Sequence, residues 1–431
     1  MDKIRIVPIP VVYVLWHPRC ALGEVLAKRI LRWLRPGNGL GPQVFYRSLP
    51  APDAPDDGLP PPLPGESRPG KYAESAMAKA ANLQVVVPLI DDNMVADPVW
   101  RHWLVALATN RERVSRHILP TALDPTAYNM PSPVSDQNYL RPAGLPLPNP
   151  SAIAEADPGF ALVERSLLKQ LTEAMCRLLL GYSRRAASEV AAGASALDGE
   201  AAPLKVKVFL SHAKADGAAP ASRLRDYING KTQLDAFYDE NDIAFGSSFG
   251  GVIQRAVQSS ETAAMIAVRT TKYSSRPWCR RELSMFRRPI CVNAGESGTA
   301  QRWRLYPLLV VEAMEGMELS AGIPEFGNSQ VVRWTDQVPD IDEFIVTTVI
   351  RNAMLASFHA ALGASLQAGP DQIVINWLPD AATLLQIPAV RQQRKVEVLH
   401  PGRRLSYLEA TTMDEMFPTL TFTPFERAPA P

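Results

Sequence analysis

Residues 205–286 alternate between short apolar runs and helical patterns, and this alternation restricts the folds open to the chain. Apolar runs lie at residues 206–210, 234–238 and 262–268, and helical patterns separate them. Strands that alternate with helices predict a parallel sheet. Because such sheets bind ligands at the carboxyl ends of their strands, the polar residues that follow each run are candidates for a functional site.

Four candidate residues belong to the first two predicted strands or follow them. Ser211 and His212 end the first strand, and Asp239 follows the second. His212 is either a ligand contact or a histidine whose hydrogen bonds are satisfied at a strand end. Asp239 either contacts a ligand hydroxyl group or caps the following loop. Phe209 either lines the pocket or belongs to the core, so the residue types alone leave both roles open.

A helix is predicted to begin near Pro277, since proline suits the first helical position. Trp278 and Glu282 are four residues apart, so they share one face of this helix. They form either a site in which an indole stands beside a carboxylate, or an ordinary helix start. In the second case Trp278 fills core and Glu282 pairs on a solvated face with a neighbouring arginine, Arg276, Arg280 or Arg281.

A glycine-bearing loop separates the second and third predicted strands. It runs from residue 242 to residue 251, and Phe245 and Phe249 lie on either side of Gly246. Glycines permit unusual backbone dihedrals, so a phosphate-binding loop is one interpretation. Neither the G-x-G-x-x-G pattern nor a Walker lysine is present, however, which argues against it.

Together, the Val-Phe-Leu-Ser-His strand, Phe-Tyr-Asp, the glycine-bearing loop and W-x-x-x-E resemble, in this order, the Toll/interleukin-1 receptor (TIR) domain, in particular its bacterial NAD-cleaving members. The resemblance implies that Glu282 is catalytic and that NAD⁺ is the substrate. It also implies that the loop carrying Phe245, Gly246 and Phe249 is a subunit contact and lid. The candidate substrate contacts are then Phe209, Ser211, His212, Asp239 and Trp278.

One carboxylate is enough to cleave NAD⁺ for a chemical reason. Nicotinamide is cationic within NAD⁺ and leaves as a neutral base, so its departure needs no general acid. A carboxylate near the ribose stabilises the oxocarbenium-like transition state, whereas ordinary glycosidases need two carboxylates. The Trp278 indole offers a wall on which the flat, positively charged ring can stack.

Two other functions fit the same residues. A TIR domain can act as a non-catalytic scaffold or adaptor that binds other TIR domains. Alternatively, the same carboxylate can serve an enzyme that makes a cyclic or base-exchanged product as a signal nucleotide. The resemblance to the bacterial family further suggests antiphage defence, with activity controlled by assembly or by a sensor or activator protein.

Four segments are predicted along the chain. Residues 204–365 form the TIR domain, residues 188–203 a small, polar linker, and residues 366–431 a β-α-β-α-β extension. Residues 1–187 repeat the order of the TIR-domain pieces but lack its site residues, which predicts a degenerate TIR-like domain. By sequence alignment, Trp103, Trp16 and Arg47 occupy the positions of Glu282, Ser211 and Asp239. The expected fold class is α/β, with tandem flavodoxin-like, doubly wound parallel sheets.

Composition excludes several classes of function. The formal net charge of +1 gives no electrostatic reason to expect binding to nucleic acid or to an acidic membrane. The four cysteines lack metal-site spacing, which favours reduced thiols and no metal. No signal pattern and no apolar run near 18 residues is evident, so a cytoplasmic protein is expected. NAD⁺ is expected as substrate rather than as a cofactor, and other TIR domains as partners.

Overall fold

The computed structural model describes most of the chain, and the described residues form two compact units, Met1–Leu171 and Thr172–Pro431. The side chains of the long helix that crosses this boundary are described as far as residue 182. The described residues are 9–35, 41–48, 60, 63, 83–109, 116–147, 157–192, 206–238, 262–293, 299–313, 323, 326–327, 329–335, 337–338, 340–402 and 405–427.

The first unit contains a parallel sheet with strand order β2-β1-β3-β4, in which β5 also pairs with β3. All eight residues of β3 are buried, as expected for a central strand covered on both faces. The elements are β1 (Pro10–Trp16), α1 (Gly23–Leu34), β2 (Gln43–Arg47), β3 (Leu83–Ile90), α2 (Asp92–Ala96), α3 (Pro98–Thr109), β4 (Arg116–Ile118) and β5 (Thr121–Ala122). The helix α4 (Pro158–Ala192) begins in this unit.

The second unit contains two five-stranded sheets. Its elements are β6 (Lys207–His212), α5 (Ala218–Lys231), β7 (Asp235–Tyr238), β8 (Thr262–Arg269), α6 (Pro277–Phe286), β9 (Ile290–Cys291), β10 (Gln301–Arg304), β11 (Leu308–Glu312), β12 (Gln330–Arg333), α7 (Ile341–Ser365), β13 (Gln372–Ile375), α8 (Ala381–Leu384), α9 (Pro388–Arg391), β14 (Val396–His400), α10 (Tyr407–Met416) and β15 (Leu420–Pro424).

The first sheet of this unit has the order β12-β11-β8-β6-β7, and every strand pairing in it is parallel. One face carries Phe209, Met265 and Val310, which pack against Leu283 and Phe286 of α6. The helices α5 and α7 contact each other and the strands. This arrangement confirms the predicted α/β class with a doubly wound parallel sheet.

The second sheet has the order β15-β14-β13-β10-β9. Strands β13, β14 and β15 belong to the predicted extension, and their order with α8, α9 and α10 follows the expected β-α-β-α-β pattern. Strand β10 pairs in parallel with β13, and β9 pairs with β10 in the antiparallel direction. The extension therefore completes a sheet with strands that lie between α6 and β11 in the chain.

Helix α4 corrects one sequence expectation. Residues 188–192, predicted as the start of a linker, are helical and continue α4 to Ala192. Small residues had suggested flexibility there, but alanine is also the strongest helix former. The rest of the predicted linker, residues 193–203, lies outside the described residues.

One helix has a high mean hydropathy. Within the described residues, Ile341–Ser365 (α7) contains an 18-residue window with a mean hydropathy of 1.3, long and apolar enough by length and composition to cross a membrane. This value is an average over a helix that also carries Arg351 and Asn352, so it is not an uninterrupted apolar run. Half of that window is buried inside the structure, where α7 contacts strands of both sheets. Its apolar residues thus serve the core of the second unit.

Candidate functional site

The candidate site lies at the carboxyl end of β6, next to β8. Strand β6 runs between β7 and β8, so the chain order of the strands reverses at this point. In doubly wound sheets the crevice outside such a switch point is the usual place for a ligand. Ser211 and His212 are the last two residues of β6 and are both buried.

The pleat of β6 sends these two residues to opposite faces of the sheet. Ser211 lies two residues beyond Phe209, whose side chain packs against α6, so Ser211 faces this helix as well. His212 faces the other side. The sequence predicts both Ser211 and His212 as substrate contacts, and the structure places the Ser211 side chain against Glu282.

Glu282 reaches the strand end from the buried face of α6. Pro277 opens the helix, and the preceding Arg276 is extended, as residues before proline prefer. The buried residues of the helix form one stripe, Cys279, Glu282, Leu283 and Phe286. Glu282 is only 6% exposed, so the expectation of a carboxylate on a solvated helix face is wrong.

A chain of hydrogen bonds holds the Glu282 carboxylate. Ser211 Oγ donates to Glu282 Oε2 at 2.6 Å, and Ser211 Oγ lies 2.8 Å from the Tyr273 hydroxyl oxygen. A serine hydroxyl has one proton, and Ser211 uses it in the hydrogen bond to Glu282. The Ser211 oxygen can therefore only accept from Tyr273, so the Tyr273 hydroxyl is the donor. The two hydroxyl groups thus both orient their protons towards the negative charge of Glu282.

Tyr273 is a site residue that the sequence analysis missed. It lies in the turn between β8 and α6, is fully buried, and packs with its ring centroid 6.1 Å from that of Phe326. A tyrosine in a connecting turn carries no periodic signal. Its position in the segment that follows the carboxyl end of a predicted strand, four residues after Arg269, was the one available indication.

Three further hydrogen bonds fix α6 and its preceding turn against β6 and the loop that follows it. The Cys279 thiol donates to the main-chain oxygen of His212 at 3.3 Å. Asp216, in the loop after β6, accepts from Thr270 Oγ1 at 2.7 Å and from the Lys272 amide at 2.8 Å. The turns that follow the two adjacent strands are therefore linked, which holds Tyr273 and Glu282 at the end of β6.

Trp278 lies at the edge of the site rather than in the core. Its side chain is 47% exposed, and the Arg281 guanidinium carbon lies 5.2 Å from its ring centroid, in a cation–π contact. The interpretation of Trp278 as core filling is therefore wrong. One turn separates it from Glu282 along α6, so an exposed indole and a buried carboxylate flank the same edge of the helix.

An open groove of about 470 Å³ also borders α6, but it does not contain the site. Its lining lies on the exposed side of the helix and of the turn before it, whereas Glu282 lies on the buried side. The lining residues are Ser274, Ser275, Pro277, Arg280, Arg281 and Ser284. We therefore place the candidate site at the strand end and not in this groove.

Of the remaining predicted site residues, Phe209 lies within the described part of the chain and the others lie outside it. Phe209 is 1% exposed and stacks on Phe237 with ring centroids 5.1 Å apart, so it lies in the core beneath the strand end. Asp239 and the assembly-loop residues Phe245, Gly246 and Phe249 lie outside the described residues. In the described part of the chain, no group of three or more histidine, cysteine or acidic side chains could hold a metal ion.

The corresponding positions of the first unit hold aromatic packing instead of a carboxylate. Trp103 meets Trp100 edge to face, with ring centroids 5.6 Å apart. Trp16 stacks on Tyr46, and a side chain at Gly23 would lie 2.1 Å from its ring, so the helix start after β1 requires glycine. Arg47 is exposed at the end of β2.

Comparisons with known proteins bear on the fold of the second unit. No curated protein matches the chain. Among solved structures, the chain is similar, at 10% identity, to the C-terminal domain of glucosamine-fructose-6-phosphate aminotransferase from Francisella tularensis. That alignment covers 83% of this chain and 84% of that chain, but its TM-score of 0.17 is too low to carry an argument. Residues 208–336 match the family model of the TIR domain, and this match, over the segment that contains Ser211, Tyr273 and Glu282, supports a TIR domain in the second unit.

Proposed function

We propose that the second unit is an NAD⁺ glycohydrolase that cleaves the bond between nicotinamide and ribose, with Glu282 as its catalytic residue. The observation that carries this proposal is the 2.6 Å hydrogen bond from Ser211 to a buried Glu282 carboxylate at the strand-order switch of a parallel sheet. Buried carboxylates are rare unless they are hydrogen-bonded, and their occurrence at a ligand-binding edge of the fold favours a chemical role.

The proposed reaction needs one negative charge and no acid. As the glycosidic bond breaks, positive charge moves from the nicotinamide ring to the ribose, and nicotinamide leaves as a neutral base. A carboxylate fixed near the ribose stabilises this developing charge in the transition state. Because Glu282 is shielded from bulk water, its field on a nearby charge is stronger than it would be at the surface.

Ser211 and Tyr273 have positioning roles in this proposal. Their hydroxyl groups hold the carboxylate in one rotamer before the substrate arrives, so little reorganisation is needed in the transition state. Trp278 has the exposure and the position to receive the flat nicotinamide ring. The ring would then replace or join the Arg281 guanidinium that now stacks there.

Control by assembly forms the second part of the proposal. A cell that makes an NAD⁺-cleaving enzyme consumes its own NAD⁺, so the activity has to be switched. We assign this switch to self-association of TIR domains through residues 242–251, with a sensor or activator protein as trigger and antiphage defence as the biological setting. We propose Ser211 and Trp278 as the substrate contacts beside Glu282, and Asp239 as a further contact. His212 ends the same strand on the opposite face of the sheet, so a contact between its side chain and the substrate would lie away from Glu282. Phe209 supports the strand end from the core.

A scaffold function is the second candidate, and the exposure of Trp278 favours it. Tryptophan and arginine are among the residue types most often found at interface hot spots. Trp278 is exposed, and Arg281 stacks on its ring. In this case the Ser211–Glu282 bond stabilises the fold only. An enzyme that forms cyclic or base-exchanged ADP-ribose would use the same carboxylate, and its products alone would distinguish it.

The test is incubation of the purified full chain with NAD⁺, followed by chromatographic separation of nicotinamide, ADP-ribose and cyclic products. The Glu282→Gln variant keeps the shape of the side chain and an oxygen that accepts from Ser211, but it loses the charge. Removal of one such electrostatic contact typically costs on the order of 10²–10³ in rate.

A matched control is Glu415→Gln, the same substitution at an exposed position of helix α10 in the same unit. We expect the control to keep wild-type turnover and Glu282→Gln to lose it. Equal turnover of the folded Glu282→Gln variant and the wild type would refute the assignment of Glu282. Absence of cleavage by the wild type at high protein concentration would instead favour the scaffold.

A further inference from the structure

Helix α6 connects the two sheets of the second unit, and this connection has a consequence for the site. At its N-terminal end, α6 is fastened to β6 by Cys279 and Glu282. At its C-terminal end the chain passes from Phe286 to β9 within four residues, and β9 belongs to the second sheet. The helix that carries Glu282 is thus anchored to the extension as well as to the TIR-type sheet.

Arg287 makes the side-chain contact at this second anchor. It is the residue that ends α6, and its Nη2 lies 3.5 Å from Asp380 Oδ2. The two side chains are only 11% and 10% exposed. Burial lowers the pKa of Arg287, and the negative charge of Asp380 opposes that shift. An unpaired charge in this buried position would destabilise the folded protein. The state in which Asp380 stays beside Arg287 is therefore the more stable one.

Asp380 is itself held rigidly by the extension. It is the N-cap of α8, where Oδ1 accepts from the Thr383 amide at 3.0 Å and Oδ2 accepts from Thr383 Oγ1 at 2.7 Å. Trp377 donates its indole proton to the same Thr383 hydroxyl at 2.9 Å. The carboxylate that Arg287 meets therefore has a fixed position, as a positioning contact requires.

The return path of the chain is fixed in the same way. Asn376, buried at the end of β13, accepts from the Leu305 amide at 2.8 Å and donates to the main-chain oxygens of Leu305 and Ala356, at 3.3 Å and 3.1 Å. Leu305 leads from β10 back into β11 of the first sheet. The segment between α6 and β11 is therefore bound to the extension at both of its ends.

We propose that Arg287 and Asp380 are positioning residues: they join the end of α6 to the C-terminal extension and so keep Glu282 in register with Ser211. The extension thereby becomes part of the catalytic unit, and a change in its docking alters the activity without any contact with substrate. The catalytic part of this inference rests on the proposed NAD⁺ cleavage, whereas the structural part does not.

The first test is Asp380→Asn in the full chain, because asparagine caps a helix as well as aspartate does while removing the charge. The readouts are hydrogen–deuterium exchange of peptides from residues 277–291 and kcat and KM for nicotinamide release. We expect several-fold faster exchange in α6 and a fall in kcat of about 10- to 100-fold, since small misplacement of a catalytic group has effects of this order. KM should change little, because neither residue touches the substrate.

The control is Asp371→Asn, since Asp371 forms an exposed pair with Arg394 in the same extension, at 3.9 Å. It should leave both readouts unchanged. Arg287→Met should change α6 exchange and kcat as much as Asp380→Asn does. The double variant, Arg287→Met with Asp380→Asn, should lose no more activity than either single variant, because both remove the same contact. Arg287→Lys keeps the positive charge and should lose less activity than Arg287→Met. Unchanged exchange in α6 for Asp380→Asn, or fully additive losses, would overturn the proposal.

The exchange measurement separates this inference from the proposed function. If the wild type cleaves no NAD⁺, the glycohydrolase proposal fails, but faster exchange of α6 in Asp380→Asn still supports the positioning contact. If the wild type cleaves NAD⁺ and exchange and kcat are both unaffected, the positioning proposal alone fails.

Discussion

Replacement of Ser211 by alanine removes the hydroxyl group that joins Tyr273 to Glu282. Ser211 is 1% exposed, and its oxygen lies 2.6 Å from Glu282 Oε2 and 2.8 Å from the Tyr273 hydroxyl oxygen. A hydrogen bond to a charged group contributes about 1.5–3 kcal/mol to stability, and one between neutral groups about 0.5–1.5 kcal/mol. We therefore expect the free energy of unfolding of the second unit to fall by about 2–4 kcal/mol.

The assay is native-state hydrogen exchange of the amides in β6, since the slowest amides of a central strand report the unfolding free energy of the unit that contains it. The matched control is Ser284→Ala, the same substitution on the exposed side of α6. Surface substitutions of this kind usually change stability by less than about 0.5 kcal/mol.

Tyr273→Phe tests how the two bonds are coupled. It removes one hydroxyl group but leaves the Ser211–Glu282 bond, so its cost should be the smaller of the two. The double variant should cost less than the sum of the single ones, because the residues share one hydrogen-bond chain. A Ser211→Ala variant whose β6 amides exchange within 0.5 kcal/mol of the Ser284→Ala control would refute this reasoning.

Two other predictions concern assembly and the thiols. If self-association through residues 242–251 switches the enzyme, specific activity should rise with protein concentration, and Gly246→Pro should remove that rise while circular dichroism shows an intact fold. Constant specific activity over a wide dilution series would contradict this mechanism. Burial raises the pKa of Cys20 and of Cys176 to about 12, so few of these thiols ionise at pH 8, whereas Cys291 is partly exposed. Iodoacetamide should modify Cys291 first, as mass spectrometry can establish, and equally fast alkylation of Cys176 in the folded chain would contradict its burial.

Local patterns in the sequence were sufficient for the fold class and for the edge of the sheet that carries the candidate site. The alternation of apolar runs and helical patterns follows from the periods of strands and helices, which depend only on neighbouring residues. Ser211 at a strand end and Glu282 in the first turns of a helix could be located in this way. The parallel direction followed as well, since strands joined through helices run the same way.

The sequence could not decide which of these residues meet. Ser211 and Glu282 are 71 positions apart, and their contact depends on β6 pairing with β8 and on the pleat that sends Ser211, but not His212, towards α6. Tyr273 joined the site only through this packing. Periodicity fixes which residues share a face, but it contains no information on the distant element that covers that face.

The same limit applies to the extension. The strands β13, β14 and β15 were predictable one by one, but their continuation through β10 and β9, and the pairing of Arg287 with Asp380, were not. A two-residue strand such as β9 is too short to show a period, and an ion pair across 93 positions leaves no local pattern. The sequence thus determined the elements and the chemical groups they carry, while tertiary packing decided which groups lie close enough to act together.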